Sequence, residues 1–107
     1  MQQGDVNRLV QGPGLLVVAQ WEAKQDEAAH VTDILRRFLP RARAESGVKL
    51  FLIGRSTEKP AHFLFYELFE DDAAFAAHQQ TEHFVTLIAG EALPLLVKRE
   101  RRQYTLL

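Results

Sequence analysis

Cysteine is absent from this sequence of 107 residues. Its absence excludes disulfides, thiol nucleophiles, iron–sulfur clusters and zinc sites built on cysteine. A chain that needs no disulfide suits a reducing compartment, and we expect a cytoplasmic protein.

An excess of charge of either sign is also lacking, because 13 Lys and Arg side chains nearly balance 14 Asp and Glu side chains. The net charge of -1 provides no overall field that would attract nucleic acid or an anionic membrane. We therefore expect neither of these as a partner.

No long apolar run occurs near the beginning of the sequence. Residues 1–14 lack the apolar core of a signal peptide or a membrane anchor, and their glycines and one proline predict a flexible tail. The residues from 15 to 107 have the length of one globular domain, and 47% of the sequence is hydrophobic. The expected organisation is a flexible tail at 1–14 and a single domain at 15–107.

Apolar patterns predict four strands and two or three helices. The strands are predicted at 15–21, 48–56, 62–69 and 97–107, and the second and third should form a hairpin. The helices are predicted from Asp26 to about 47, from Asp71 or Asp72 to about 79, and from Thr81 and Glu82 to about 92. The order β-α-β-β-α-(α)-β predicts an α+β protein of the ferredoxin-like plan, an antiparallel sheet with helices on one face.

Pro40 falls inside the first predicted helix. Because proline lacks an N–H and clashes with the preceding turn, we expect a kink or a lost hydrogen bond near Arg36. The last turns of this helix could then form a separate segment.

The third predicted strand is apolar on both faces. One face carries Phe63, Phe65, Glu67 and Phe69, and the other carries His62, Leu64, Tyr66 and Leu68. A sheet with helices on one side and water on the other should alternate apolar and polar residues. We therefore expect a second copy of the chain to cover the other face, sheet against sheet, in a homodimer.

Two histidines follow this strand. His78 lies three residues after Phe75 and should point into the core, whereas His83 lies roughly 90° from the inward face of its helix and should be near the surface. A zinc pair on one helix has histidines four residues apart, but the spacing here is five with a predicted helix break between them, so we expect no converging ligand set and no metal. For His78 both an acid/base role and a structural hydrogen-bonding role stay open.

Glu67 shares its strand face with phenylalanines. Burial without a partner would raise the pKa of this carboxyl and cost stability, so it needs His78, Arg55 or an arginine of the last strand nearby. A structural ion pair and a role in a pocket are the two alternatives. The carboxylates of Glu70, Asp71 and Asp72 suit the start of a helix and require no chemistry.

Aromatic residues are frequent, and a subset lining a cavity would suit a flat aromatic ligand. The one basic cluster, KRERR at 98–102, is divided between the two faces of a strand and interrupted by Glu100. It indicates a salt-bridged edge strand, or one that reaches over a partner subunit, rather than an RNA-binding stripe.

One longer pattern resembles a known family. The residues Phe65-x-Glu67-x-Phe69-x-Asp71-x-x-Ala74-x-x-x-His78-x-x-Thr81-x-His83-Phe84, together with Glu45-Ser-Gly47 at a helix exit, resemble the antibiotic biosynthesis monooxygenase (ABM) family. Its quinol-monooxygenase-like members belong to the dimeric α/β-barrel superfamily. The resemblance implies a homodimer with facing sheets and a pocket between sheet and helices in each subunit.

The resemblance also implies an activity, the oxidation of a quinol or phenol by O₂ without metal, flavin or haem. The base would be His78 or Glu67. The implied pocket walls are Trp21, Phe65, Tyr66, Phe69 and Phe84.

Two alternatives share the same fold. The first is a dimeric module that binds or senses a small molecule without catalysis. The second, weaker alternative is a haem-binding or haem-degrading relative. That group implies an Asn, a Trp and a His at three positions where this chain has Gln20, His78 and Ile88, which argues against haem degradation.

Overall fold

The structure, a computed structural model, describes Val10 and residues 12–107. Most of the tail predicted at 1–14 lies outside the described residues. The strands are β1 (Leu15–Ala23), β2 (Val48–Arg55), β3 (His62–Phe69) and β4 (Leu96–Thr105). The helices are α1 (Ala28–Arg43), α2 (Asp72–Gln79) and α3 (Phe84–Ala92), and a short 3₁₀ turn (Leu93–Leu95) precedes β4.

The predicted ferredoxin-like order is confirmed. The four strands form one antiparallel sheet in the order β2-β3-β1-β4, so that β1 and β3 are central and β4 is an edge strand. The buried face of α1 comes from apolar residues three and four apart, which pack with the sheet in one core. None of the helices in the described ranges is long and apolar enough to cross a bilayer.

Two details of α1 differ from the prediction. Asp26 does not cap the helix, because it occupies the left-handed turn after β1 with φ 69°, a conformation that Asp tolerates better than most residues. Glu27 takes the capping position without a side-chain hydrogen bond. The helix also continues past Pro40 to Arg43 rather than dividing there, since the N–H of Ala44 bonds the carbonyls of both Pro40 and Arg41.

The third helix, α3, is a π-helix, in which the N–H of Leu93 bonds the carbonyl of Ile88 five residues earlier. Such wide turns are rare, and those that do occur are frequently found at functional sites. Phe84 and Ile88 of this helix face the sheet at the site described below.

The two faces of the sheet differ in cover. On the inner face, under the helices, the odd-numbered residues of β1 and β3 are buried. On the outer face Leu52, Leu64, Tyr66 and Tyr104 are each between 41% and 48% exposed. The apolar second face predicted for β3 therefore exists and is open in the single chain.

Candidate functional site

Two ionisable side chains, Glu67 of β3 and His78 of α2, are buried on the inner face. The Nε2 atom of His78 lies 3.9 Å from the Oε1 atom of Glu67. The two residues that the sequence singles out as candidate bases therefore occupy one site.

The start of α2 determines where His78 points. Asp71 caps this helix, because its carboxylate accepts a 2.8 Å hydrogen bond from the N–H of Ala74, as the sequence predicted. The spacing of three residues then places Phe75 and His78 on the same buried face.

A second carboxylate, which the sequence analysis did not assign to the site, contacts both histidines. Glu45 follows α1 in the turn before β2, and its two oxygens lie 2.8 and 3.0 Å from Nδ1 of His78. Its Oε2 atom also lies 2.6 Å from Nε2 of His83. Because a carboxylate only accepts hydrogen bonds, both imidazoles donate to it. Neutral His78 thus carries its proton on Nδ1 and keeps a lone pair on Nε2, the atom nearer Glu67.

Gly47 allows the turn of Glu45 to lie against α2. A Cβ atom built on Gly47 would be 2.5 Å from the Cβ of Ala74, so no larger residue fits without a shift. The carbonyl of Gly47 accepts a hydrogen bond from the N–H of Glu70. This close approach is what brings a carboxylate from the end of α1 to His78.

The prediction that His83 lies near the surface describes only part of its environment. Its side chain is only 14% exposed, and its ring centroid is 5.7 Å from that of Phe38. Thr81 explains the difference, because its hydroxyl donates to the carbonyl of His78 and accepts from the N–H of Phe84, which turns the chain sharply between α2 and α3. His83 is thereby directed back toward Glu45.

The expectation that no set of metal ligands converges is wrong. One ligand atom each from Glu45, His78 and His83 lies within 4.8 Å of the other two. These three residues could hold a metal ion. Helical spacing between the two histidines did not indicate this, because the third ligand comes from a distant turn.

A small cavity adjoins His78 and Glu67. Its volume is about 30 Å³, which is room for about one water molecule. Three of the predicted walls line it, Trp21, Phe65 and Phe84.

The other two predicted walls lie elsewhere. Phe69 is fully buried behind the cavity, with its ring centroid 5.2 Å from that of His78. The prediction for Tyr66 is wrong, because alternation along β3 places it on the outer face, opposite Val18 and Leu52.

Two arginines also line the cavity. Alternation along β4 places Arg99 opposite Trp21 and Arg101 opposite Ala19, on the inner face beside Glu67. The guanidinium carbon of Arg101 lies 5.1 Å from the ring centroid of Phe75. Among the described residues neither guanidinium group has a hydrogen bond or an ion pair. The sequence offered one signal for this pair. Arg99 and Arg101 are two residues apart in KRERR, and residues with that spacing lie on the same face of a strand.

Burial governs the charge states of the site. Burial raises the pKa of Glu67 to about 8, although Arg101 and Arg99 pull it in the opposite direction and Glu45 adds to the rise. Burial also lowers the pKa of His78, and its hydrogen bond to Glu45 offsets part of that effect. At neutral pH the pair is therefore mainly a protonated Glu67 beside a neutral imidazole.

The chain matches known proteins in sequence and in fold. A family model described as antibiotic biosynthesis monooxygenase matches residues 14–90, a range that includes Glu45, Glu67 and both histidines. The crystal structure of PA3566 from Pseudomonas aeruginosa is 27% identical, with a TM-score of 0.84 over 90% of this chain and 96% of that one. A structure of an antibiotic biosynthesis monooxygenase is 25% identical, with a TM-score of 0.76 over 85% and 94%.

A more distant structure, SO0527 from Shewanella oneidensis, is 22% identical with a TM-score of 0.81 over 89% of this chain and 92% of that one, which supports the fold alone. Comparison with curated proteins finds no match.

Proposed function

Because this chain belongs to the antibiotic biosynthesis monooxygenase family, we propose that it oxidises a quinol or phenol with O₂, without a flavin, haem or metal in the reaction. The observation that carries the proposal is the orientation of His78. Glu45 holds its proton on Nδ1, so the basic nitrogen Nε2 is directed toward Glu67 and the aromatic cavity.

The first step is removal of the phenol proton by His78. The imidazolium that forms is stabilised by the Glu45 carboxylate, which already accepts hydrogen bonds from both histidines. Without that carboxylate a histidine that is only 2% exposed would be costly to charge.

The second step is the reaction of the substrate anion with O₂. Arg99 and Arg101 supply positive charge at the cavity and have no anionic partner within hydrogen-bond distance among the described residues, so they suit a phenolate. The electron-rich ring reduces O₂, a carbon–oxygen bond forms, and cleavage of the O–O bond releases water. A phenol and one O₂ give one quinone and one water, so atoms and electrons balance without a further reductant.

Glu67 has a distinct part in this proposal. Because Glu67 is protonated at neutral pH, it does not repel the substrate anion and can donate a hydrogen bond to that anion. It can also donate to the peroxide that exists on the ring before the O–O bond is cleaved. Above its pKa of about 8 the carboxylate would oppose binding of the anion.

The cavity must enlarge to accept a ring, since its volume of about 30 Å³ corresponds to about one water. Arg99 and Arg101 are the exposed side chains of its lining, and we expect them to move outward as the ring enters between Trp21 and Phe84. The guanidinium groups then contact the substrate oxygen at the rim.

The proposal includes a homodimer that buries the outer face of the sheet. The half-exposed Leu52, Leu64, Tyr66 and Tyr104 form an apolar patch of the kind that sheet-to-sheet packing covers. Light scattering tests this part, and a monomer at micromolar concentration would contradict it.

An oxygen electrode and a panel of one-, two- and three-ring quinols and phenols test the activity. We expect O₂ uptake with one substrate class and one quinone formed for each O₂ consumed. Ligands that raise the melting temperature without O₂ uptake would instead support a binding module.

A further inference from the structure

Three ligand-type side chains meet at one point of the structure. Glu45 comes from the turn after α1, His78 from α2 and His83 from the residues that begin α3. The Oε2 atom of Glu45 is 2.8 Å from Nδ1 of His78 and 2.6 Å from Nε2 of His83, and the three atoms lie within 4.8 Å of one another.

We propose that Glu45, His78 and His83 form a binding site for a divalent transition-metal ion of the Zn²⁺ class. Two imidazole nitrogens and one carboxylate oxygen are a ligand set that such ions accept, with a fourth position left for water. In the metal-free chain the two imidazole protons occupy the place of the ion. With bonds of about 2.0–2.2 Å, ligand atoms in a tetrahedral site lie about 3.3 Å apart, so the Glu45 oxygen needs to move only a fraction of an ångström away from each nitrogen. The two nitrogens, which lie within 4.8 Å of each other, must take up the same spacing.

The surroundings of His78 also suit a metal ligand. Histidines that bind metal usually donate their second N–H to a nearby oxygen acceptor. The carboxyl oxygen of Glu67 lies 3.9 Å from Nε2 of His78 and would have to approach it to accept that bond. Phe38 packs against both histidine rings and fixes their orientation. Glu45 and His83 are each 14% exposed, which leaves the ion a path from solvent.

Metal binding and the proposed base exclude each other. An ion on Nδ1 requires the proton of neutral His78 to move to Nε2, and that nitrogen then donates instead of accepting. The metal-loaded chain should therefore be inactive in quinol oxidation, and a chelator should restore activity. The binding site itself does not depend on that activity.

The test uses the full chain freed of metal by a chelator. We expect calorimetric titration with Zn²⁺ to give one ion per chain with release of protons, and Co²⁺ to give visible absorption bands of a low-coordinate site. His83→Ala and Glu45→Gln should each weaken binding at least as much as the roughly 10–100-fold known for loss of an outer-shell partner. His30→Ala, at an exposed histidine, and His62→Ala, at a half-exposed one, are the matched controls and should leave affinity unchanged.

Two results would overturn the site. One is the absence of saturable binding at one ion per chain. The other is an affinity for Zn²⁺ in both His83→Ala and Glu45→Gln that equals the affinity of the unchanged chain. That result would place the ion at exposed side chains only. Glu45→Gln retains a hydrogen-bonding side chain and keeps the test informative if His83→Ala does not fold. Failure of the oxidation assay affects neither result, because the readout is heat and absorption.

Discussion

Glu45 Oε2 lies 2.8 Å from Nδ1 of His78, although 33 positions of the sequence separate the two residues. The contact joins the exit of one helix to the last turn of the next one along the chain. It fixes the tautomer of a buried histidine, and the proposed chemistry depends on that tautomer.

Replacement of His78 tests the base. We expect His78→Gln to lower kcat by roughly 10²–10⁴-fold, the usual contribution of a positioned acid–base group, with a small change in KM. His30→Gln, at an exposed histidine that also pairs with a glutamate, is the control. A His78→Gln enzyme with turnover within about threefold of the wild type would show that His78 is not the base.

Removal of the Glu45 side chain should be costly. Glu45→Ala leaves the Nδ1–H of a buried imidazole without its acceptor, which we expect to lower the free energy of unfolding by about 1–3 kcal/mol. Urea denaturation of the variant and of the unchanged chain measures this change in the free energy of unfolding. Glu22→Ala removes the partner of half-exposed His62 and should cost less than about 1 kcal/mol. Equal losses in the two variants would mean that the contact with His78 adds nothing.

The two inner-face arginines should decide affinity for anions. We expect Arg99→Gln and Arg101→Gln to weaken binding of an anionic phenol, and the double variant more strongly, with a smaller effect on neutral analogues. Arg102→Gln changes the adjacent arginine, which lies opposite Val18 on the outer face. If Arg102→Gln weakened binding of the anionic phenol as much as Arg101→Gln does, the general positive charge of the surface would be responsible for that binding.

The raised pKa of Glu67 predicts that the stability of the folded chain declines as pH rises. Its carboxyl has an ordinary pKa of 4.5 and a pKa of about 8 in the folded chain, so between these values the folded state holds a proton that the unfolded state has lost. The free energy of unfolding therefore falls as pH rises, by up to about 1.4 kcal/mol per pH unit. His78 acts in the opposite direction, but only below its ordinary pKa of 6.5.

Melting temperatures measured between pH 6.5 and 8 isolate the effect of Glu67. The groups around it are Arg99, Arg101, Glu45 and His78, and neither arginine loses charge in this range. We expect Glu67→Gln to remove most of the decline, whereas Glu70→Gln, at an exposed position, should retain it. An unchanged decline in Glu67→Gln would assign it to another group.

Gly47 should tolerate no side chain. In Gly47→Ala the new Cβ would lie 2.5 Å from the Cβ of Ala74, so the turn must move away from α2. We expect a loss of about 1–3 kcal/mol, as for other overpacked positions, and a weaker contact of Glu45 with His78. Gly54→Ala, where no atom lies within 4 Å of the added Cβ, is the control in urea denaturation.

The sequence carried most of the fold because its signals are local. The alternation in β1 and β3, the cap at Asp71 and the spacing of Phe75 and His78 each depend on a few neighbouring residues. His78 was one of the partners that the sequence left open for Glu67, and the two side chains lie 3.9 Å apart. Local signals could not place Glu45, because its contact with His78 depends on how closely the turn at Gly47 packs on α2.

Two other differences between the prediction and the structure have related causes. His83 was judged by its angle on an isolated helix, whereas the hydroxyl of Thr81 reorients the chain just before it. Tyr66 was grouped with the pocket by its aromatic character, although period two along β3 assigns it to the other face. Residue type alone does not distinguish an aromatic side chain that lines a cavity from one on the exposed face of the sheet.

Neighbouring positions of β3 serve opposite sides of the sheet, with Tyr66 on the open face and Glu67 beside His78. Because side chains alternate strictly, insertion or deletion of one residue within this strand would exchange the two sets. The carboxyl would then face the open side, and the tyrosine would enter the core. We therefore expect length variation among relatives of this chain to be confined to the connections, while β3 keeps its length even where its individual residues change.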